Sequence, residues 1–333
     1  MTKRIRGNFL LLLTALIWGF AFAAQSEGMK YVGPFTFLGI RSYLGGIALL
    51  IFMGVRKRLE KQQKQEHMMY SRKTLLSGGI CCGAMLFTAS ILQQIGIQYS
   101  PESGKAGFIT ALYIVLVPLC GAFRGKRVAG KVWLAVAVAL TGMYLLCISD
   151  GFSIARGDIY LILCAVAFTG HILVVDSFSP KTDGVAMSCI QFFVCGVLST
   201  AGMLLTEQVE LSGVLDAWLP LVYAGVLSSG IGYTLQIVAQ RDTDPTVASL
   251  LMSLESVFAA LGGFVILGQV LSARELTGSM LMFAAILLAT LDKTGKNVKA
   301  DVPVQVVHSE KVCYDKKERN SCEKAEKTDG TGA

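Results

Sequence analysis

The sequence predicts an all-α integral membrane protein with ten transmembrane helices in two inverted five-helix repeats. Three observations carry this. Of 333 residues, 53% are hydrophobic and only 16% are charged, against about 25% charged in soluble domains. Mean hydropathy is +0.57. The apolar residues fall in blocks of about 20, the length that crosses a hydrocarbon core of about 30 Å as a helix. The blocks do not alternate with period two, as the strands of a membrane barrel would.

The ten predicted helices span about residues 8–24, 34–55, 74–98, 104–124, 130–148, 158–176, 184–204, 216–238, 245–267 and 272–291. The first follows Lys3, Arg4 and Arg6. Ala21-Phe22-Ala23 resembles a cleavage site, but an apolar run followed by nearly continuous spans is read as a retained helix. Gly33-Pro34 opens the second, and Ser100-Pro101 separates the third from the fourth. Ser149-Asp150-Gly151 ends the fifth. Asp242-Thr243-Asp244-Pro245 supplies N-cap candidates for the ninth, with Pro245 suited to its first turn. Beyond 291 the chain alternates lysine and glutamate with few apolar residues, a composition expected to stay disordered.

Charge sets the orientation. With the N-terminus inside, the N-terminal segment and the cytoplasmic loops hold sixteen lysines and arginines, from Lys3 to Arg241. Four fall outside, namely Lys30, Lys105, Arg156 and Arg274. This is the positive-inside pattern, with both termini cytoplasmic in a cell membrane. The net charge of +7 is loop bias and does not point to nucleic acid. Seven of the nine cysteines lie in apolar segments and none forms a C-x-x-C pair. They are read as packing residues rather than disulfides or metal ligands.

The halves match each other. At an offset of 150, Gly7, Ala15 and Trp18 lie over Gly157, Ala165 and Phe168, and Arg41 lies over Gln191. After the basic loop 56–73 the offset drops to 142, placing Leu112 on Leu254 and Tyr113 on Glu255. Five spans per repeat force corresponding helices to cross in opposite directions, as in secondary transporters with a midplane site between repeats. The expected units are 1–150, 151–291 and the charged tail 292–333.

Polar residues inside apolar helices are the candidate site. Glu255 lies near the middle of the ninth helix, where a carboxylate costs at least about 2.5 kcal/mol. It is expected to face a protein-lined cavity and find a partner there; the structural alternatives are a membrane-facing carboxyl kept protonated and one that ties helices together. Arg41, about 10 Å into the second helix by rise, either snorkels, pairs with Glu255 or holds an anionic group. Gln93, Gln191 and Gln236 orient a substrate or bridge helices. His171 relays protons or is a hydrogen-bonded structural histidine. Trp18, Tyr113 and Tyr233 stack on a substrate or pack the core. Paired glycines such as Gly45-Gly46 and Gly78-Gly79 are read as packing positions.

These residues resemble the EamA-like branch of the drug/metabolite transporter superfamily. The resemblance covers about 7–291. It rests on Ala15-Leu16-Ile17-Trp18-Gly19, Arg41, the run Gly104 to Tyr113, the run Ser253 to Ala260, Leu267-Gly268 and Leu276. It implies a membrane transporter moving small metabolites, often outward, by alternating access. One position departs: the family commonly has proline after the ninth-helix glutamate, and here it is Ser256. The expected partners are a small-molecule substrate, with an amino acid or related compound as the best guess, the lipid bilayer, protons as coupling ion through Glu255, and a second copy as a homodimer. No cofactor and no nucleotide-binding loop is expected. No H-E-x-x-H motif or pair of intramembrane aspartates suggests an enzyme. A membrane scaffold or sensor acting through the tail is the rival class.

Overall fold

The computed structural model describes residues 3–62, 71–99, 103–125, 128–148, 155–267 and 272–290. The tail and much of the basic loop lie outside these residues. Among those described, every regular element is a helix.

Ten helical spans follow one another. They are α1 (Lys3–Gly28), α2 (Pro34–Gln62), α3 (Arg72–Tyr99), α4 (Ser103–Thr110 and Tyr113–Phe123) and α5 (Gly130–Cys147). Then come α6 (Arg156–Phe178), α7 (Gly184–Thr206), α8 (Trp218–Gln240), α9 (Pro245–Met252 and Glu255–Leu267) and α10 (Ala273–Thr290). Nine are individually long and apolar enough to cross a membrane among the described residues, and the apolar Pro245–Leu261 stretch of α9 supplies the tenth. Large apolar side chains such as Ile51, Phe123 and Leu205 are exposed, as expected of a lipid-facing surface.

The helix starts follow capping chemistry. Asp183 accepts from the Ala186 N–H at 2.9 Å at the start of α7, and Asp244 accepts from the Thr246 N–H at 2.8 Å ahead of Pro245 in α9. Ser272 and Glu275 form a reciprocal pair at the start of α10: the Ser272 N–H donates to Glu275 at 2.7 Å, and the Glu275 N–H donates to the Ser272 hydroxyl at 3.2 Å. α2 is different. Glycine at position 33 has no side chain to offer. The Phe35 and Thr36 N–H groups instead donate to the carboxylate of Glu207, just past the end of α7, each at 2.8 Å.

Three spans differ from the uninterrupted helices that sequence predicts. α4 breaks at Ala111-Leu112 and α9 at Ser253-Leu254. At the first break Leu112 N–H donates to Ile109 and Ile114 N–H to Ala111. At the second, Leu254 N–H donates to Leu251 and Ser256 N–H to Ser253. The two sets are the same bonds displaced by 142 positions. Each is a three-residue pinch in a four-residue ladder. In α9 the Ser253 hydroxyl also donates to the Leu250 carbonyl at 2.8 Å, which draws that carbonyl toward a side chain. The third departure is α8, where Tyr223–Tyr233 winds as an eleven-residue π-helix, preceded by a short turn at Leu211–Asp216.

The packing pattern is symmetric. α3 packs on α6 and α7, while α8 packs on α1 and α2. α1 meets α9, and α6 meets α4; α2 lies on α7, and α5 on α10. Exchanging each helix with the one five places away maps this set of pairs onto itself. Small residues permit the closest approaches. A Cβ on Gly142 would lie 2.6 Å from the Gly278 carbonyl oxygen, so α5 and α10 touch backbone to backbone.

Candidate functional site

A cavity lies among α1, α2, α3, α4, α6, α8 and α9. The two helix breaks deliver residues to it. Tyr113 starts the second half of α4 and Glu255 the second half of α9. The Tyr113 hydroxyl donates to Glu255 Oε1 at 3.2 Å. Positions aligned at an offset of 142 therefore meet face to face. Glycine makes room behind them: a Cβ at Gly19 would lie 2.8 Å from the Glu255 carbonyl oxygen, so α1 seats directly on the second half of α9.

Arg41 is 3% exposed and Glu255 4%, and both line the cavity. The burial of Arg41 rules out a snorkelling side chain. It also does not pair with Glu255: no ion pair joins the two among the described residues. Its Nη1 donates instead to Gln25 Oε1 at 2.9 Å. Gln94 Nε2 donates to the same oxygen at 2.8 Å. Arg41 Nε has no partner. The cavity thus carries a guanidinium and a carboxyl that do not neutralise each other by contact.

One wall is aromatic. The Trp18 and Tyr233 rings stand 4.5 Å apart between centroids. The indole N–H of Trp18 reaches the Ser228 carbonyl at 3.4 Å, a group turned toward it in the π-helical stretch of α8. Glycine at position 232 lets that ring in, because a Cβ there would lie 2.6 Å from the indole nitrogen. Gln93 and Gln236 complete the polar lining, and Gln236 donates back to Gln240 at 3.0 Å.

Of the residues singled out by sequence, Trp18, Arg41, Gln93, Tyr113, Tyr233, Gln236 and Glu255 line this cavity. His171 and Gln191 do not. They form their own buried pair, His171 Nε2 to Gln191 Oε1 at 3.2 Å, with the imidazole edge-on to Tyr233 at 5.9 Å. This places them one layer behind the wall. Gln25, Thr110, Ser228, Phe22, Phe168 and Met252 also line the cavity and were not anticipated. Gln25 falls just beyond the predicted end of the first helix at 24. The bond of Ser228 is through its carbonyl, to the Trp18 indole, and a main-chain contact leaves no mark in a side-chain pattern.

No group of metal-binding side chains occurs among the described residues. The arrangement brings a guanidinium and a carboxyl to one cavity between two broken helices.

Comparison with known proteins agrees with this architecture. The model of the EamA-like transporter family matches twice, at residues 5–148 and 155–291. An uncharacterized transporter of Archaeoglobus fulgidus is 27% identical over 291 residues, covering 87% of each chain. The uncharacterized inner membrane transporter YedA of Escherichia coli K12 is 23% identical over 280 residues, covering 84% of this chain and 88% of its own. A solved crystal structure superimposes with a TM-score of 0.70 at 19% identity, covering 86% of this chain and 98% of that one, which speaks to fold alone. With the family model matched in both halves of a chain built from apolar helices, this protein belongs to the EamA-like transporter family.

Proposed function

We propose that this chain is a secondary transporter that exports an amino acid or a related small metabolite by alternating access. The observation that carries the substrate class is the pair of opposite charges on one buried cavity, Arg41 and Glu255, that make no contact with each other. A zwitterion presents a carboxylate to the first and an ammonium to the second. Each of these buried groups then gains the partner that a low-dielectric site requires.

The transport mechanism rests on symmetry. The packing pairs exchange between halves, and the breaks in α4 and α9 sit at equivalent positions. This supports two five-helix repeats, 1–150 and 151–291, of inverted topology. In such a pair, inward-facing and outward-facing states have similar energies because the repeats swap roles. The cationic bias of sixteen to four supports cytoplasmic termini and residence in the cell's inner or plasma membrane. Dimerisation is compatible with this scheme and is not required by it.

Glu255 is proposed as the coupling group. A carboxyl that takes a proton on one side and releases it on the other links the cycle to the proton gradient. The test is a metabolite profile of the medium around cells overexpressing either the wild type or Glu255→Gln. The expected result is a compound that accumulates outside with the wild type alone. Equal accumulation with both would reduce Glu255 to a structural role. No extracellular change with both proteins folded and in the membrane would sink export.

A further inference from the structure

A buried arginine ordinarily faces a carboxylate. Here the residue that receives Arg41 is an amide. Gln25 Oε1 takes hydrogen bonds from Arg41 Nη1 at 2.9 Å and Gln94 Nε2 at 2.8 Å. That oxygen is then fully engaged, and it carries no formal charge. Arg41 Nε and Gln94 Oε1 remain without partners, and no described carboxylate forms an ion pair with Arg41. A cation buried in this way is strongly unfavourable until an anion joins it. The guanidinium lines the cavity, so the missing anion has a place to sit.

We infer that Arg41 is the anion subsite of the cavity, that it takes the carboxylate of a small organic acid, and that Gln25 is its positioning residue. This rests on the reading of the cavity as a transport site but not on the substrate being an amino acid. Gln25 does two things. It fixes the fork of Arg41 by one bond, leaving the rest of the guanidinium for a planar, two-oxygen ligand. By being neutral, it keeps the countercharge vacant for the ligand. Organic carboxylates suit the site better than inorganic anions, because Phe22, Phe168 and Met252 line the same cavity and present apolar surface to a carbon chain. The repeat deepens the contrast. The equivalent of Arg41 is Gln191, which is engaged by His171 behind the wall. The anion subsite is thus confined to one half of the molecule.

Gln25→Glu is the informative variant. It places a permanent carboxylate against Arg41 at nearly the same shape. Arg41→Gln is the companion; it removes the cation while keeping an amide there. The full-length protein, purified in detergent, would be unfolded thermally with each of four probes. These are 4-methylpentanoate, 3-methylbutylamine, inorganic phosphate and L-leucine. The expected result is that 4-methylpentanoate raises the wild-type midpoint. Its apparent affinity falls about ten- to a hundredfold in both variants, the loss of a hydrogen bond to a charged group. The response of Gln25→Glu to 3-methylbutylamine is retained, which a merely disordered cavity would not allow.

The inference is overturned if 4-methylpentanoate does not stabilise the wild type, if both variants respond to it as the wild type does, or if phosphate alone stabilises. Should Gln25→Glu fail to fold, Arg41→Gln decides the matter by itself. If 4-methylpentanoate stabilises the wild type but L-leucine does no better than the acid, the amino-acid reading loses its support while the anion subsite stands.

Discussion

Tyr113 and Glu255 show how much a single contact can organise. The phenol donates to a carboxyl that has few other partners, and both groups are buried. Tyr113→Phe removes that donor at nearly constant volume. Transport by reconstituted protein in liposomes is expected to fall about five- to tenfold in kcat/KM, the scale of one net hydrogen bond in a buried site. Unchanged transport would mean that Glu255 is held by something else. At this scale the charged residues were legible in the sequence, because a charge inside a membrane helix costs too much to be incidental. The amides were less so. An isolated glutamine in an apolar helix has the same appearance whether it lines a cavity, as Gln93 does, or binds a histidine behind it, as Gln191 does. Gln25 was missed because its helix runs four residues past the predicted end, to Gly28.

At the scale of elements, α2 begins without a capping side chain of its own. Its first N–H groups are met by Glu207 from the far end of α7, and the Thr36 hydroxyl adds a third bond at 2.6 Å. A carboxylate at a helix N-terminus is favoured by both hydrogen bonding and the helix dipole. Glu207→Ala is therefore expected to lower stability by about 1–2 kcal/mol, the range for lost N-caps, read as a drop in the thermal midpoint in detergent. Glu207→Gln should recover part of it; a midpoint unmoved by either change would count against a capping role. Helix number and rough limits were readable from apolar length. The breaks in α4 and α9 were not, because leucine and tyrosine or glutamate in sequence look like continuous helix. Their only trace was the alignment of Leu112 with Leu254. The π-helical winding of α8 had no trace beyond its glycines, Gly225, Gly230 and Gly232.

For the whole molecule, the α2–α7 pair is tied at both ends, and each tie joins the first half to the second. At the other end from Glu207, Arg56 Nη2 meets Asp183 Oδ2 at 2.8 Å. Partial burial pushes the Asp183 carboxyl up. The Ala186 N–H and the Arg56 guanidinium outweigh this and hold it below its ordinary value of about 3.8. Between that lowered value and 3.8, the unfolded chain binds more proton than the folded one, so stability rises with pH across that window. The contribution is complete above the ordinary aspartate range and disappears as pH falls through the lowered value. The unfolding midpoint of the wild type should thus fall faster on acidification than that of Asp183→Asn, and parallel curves would remove Asp183 as a contributor. The membrane class and the two-fold repetition were legible at this scale because both are written in length and spacing. The exchange of packing partners was not, since contact between distant helices has no sequence period.

The meeting of Tyr113 with Glu255 carries a further consequence. Positions equivalent by the 142-residue offset meet here, and an identical pair of halves would present the same residue twice. Two glutamates there would repel, and two tyrosines would offer no charge. Halves of different sequence, as in this chain, can place one of each there. The divergence between the halves thus lets a hydroxyl donor face a carboxyl at this contact, where two copies of a single half would be confined to like facing like.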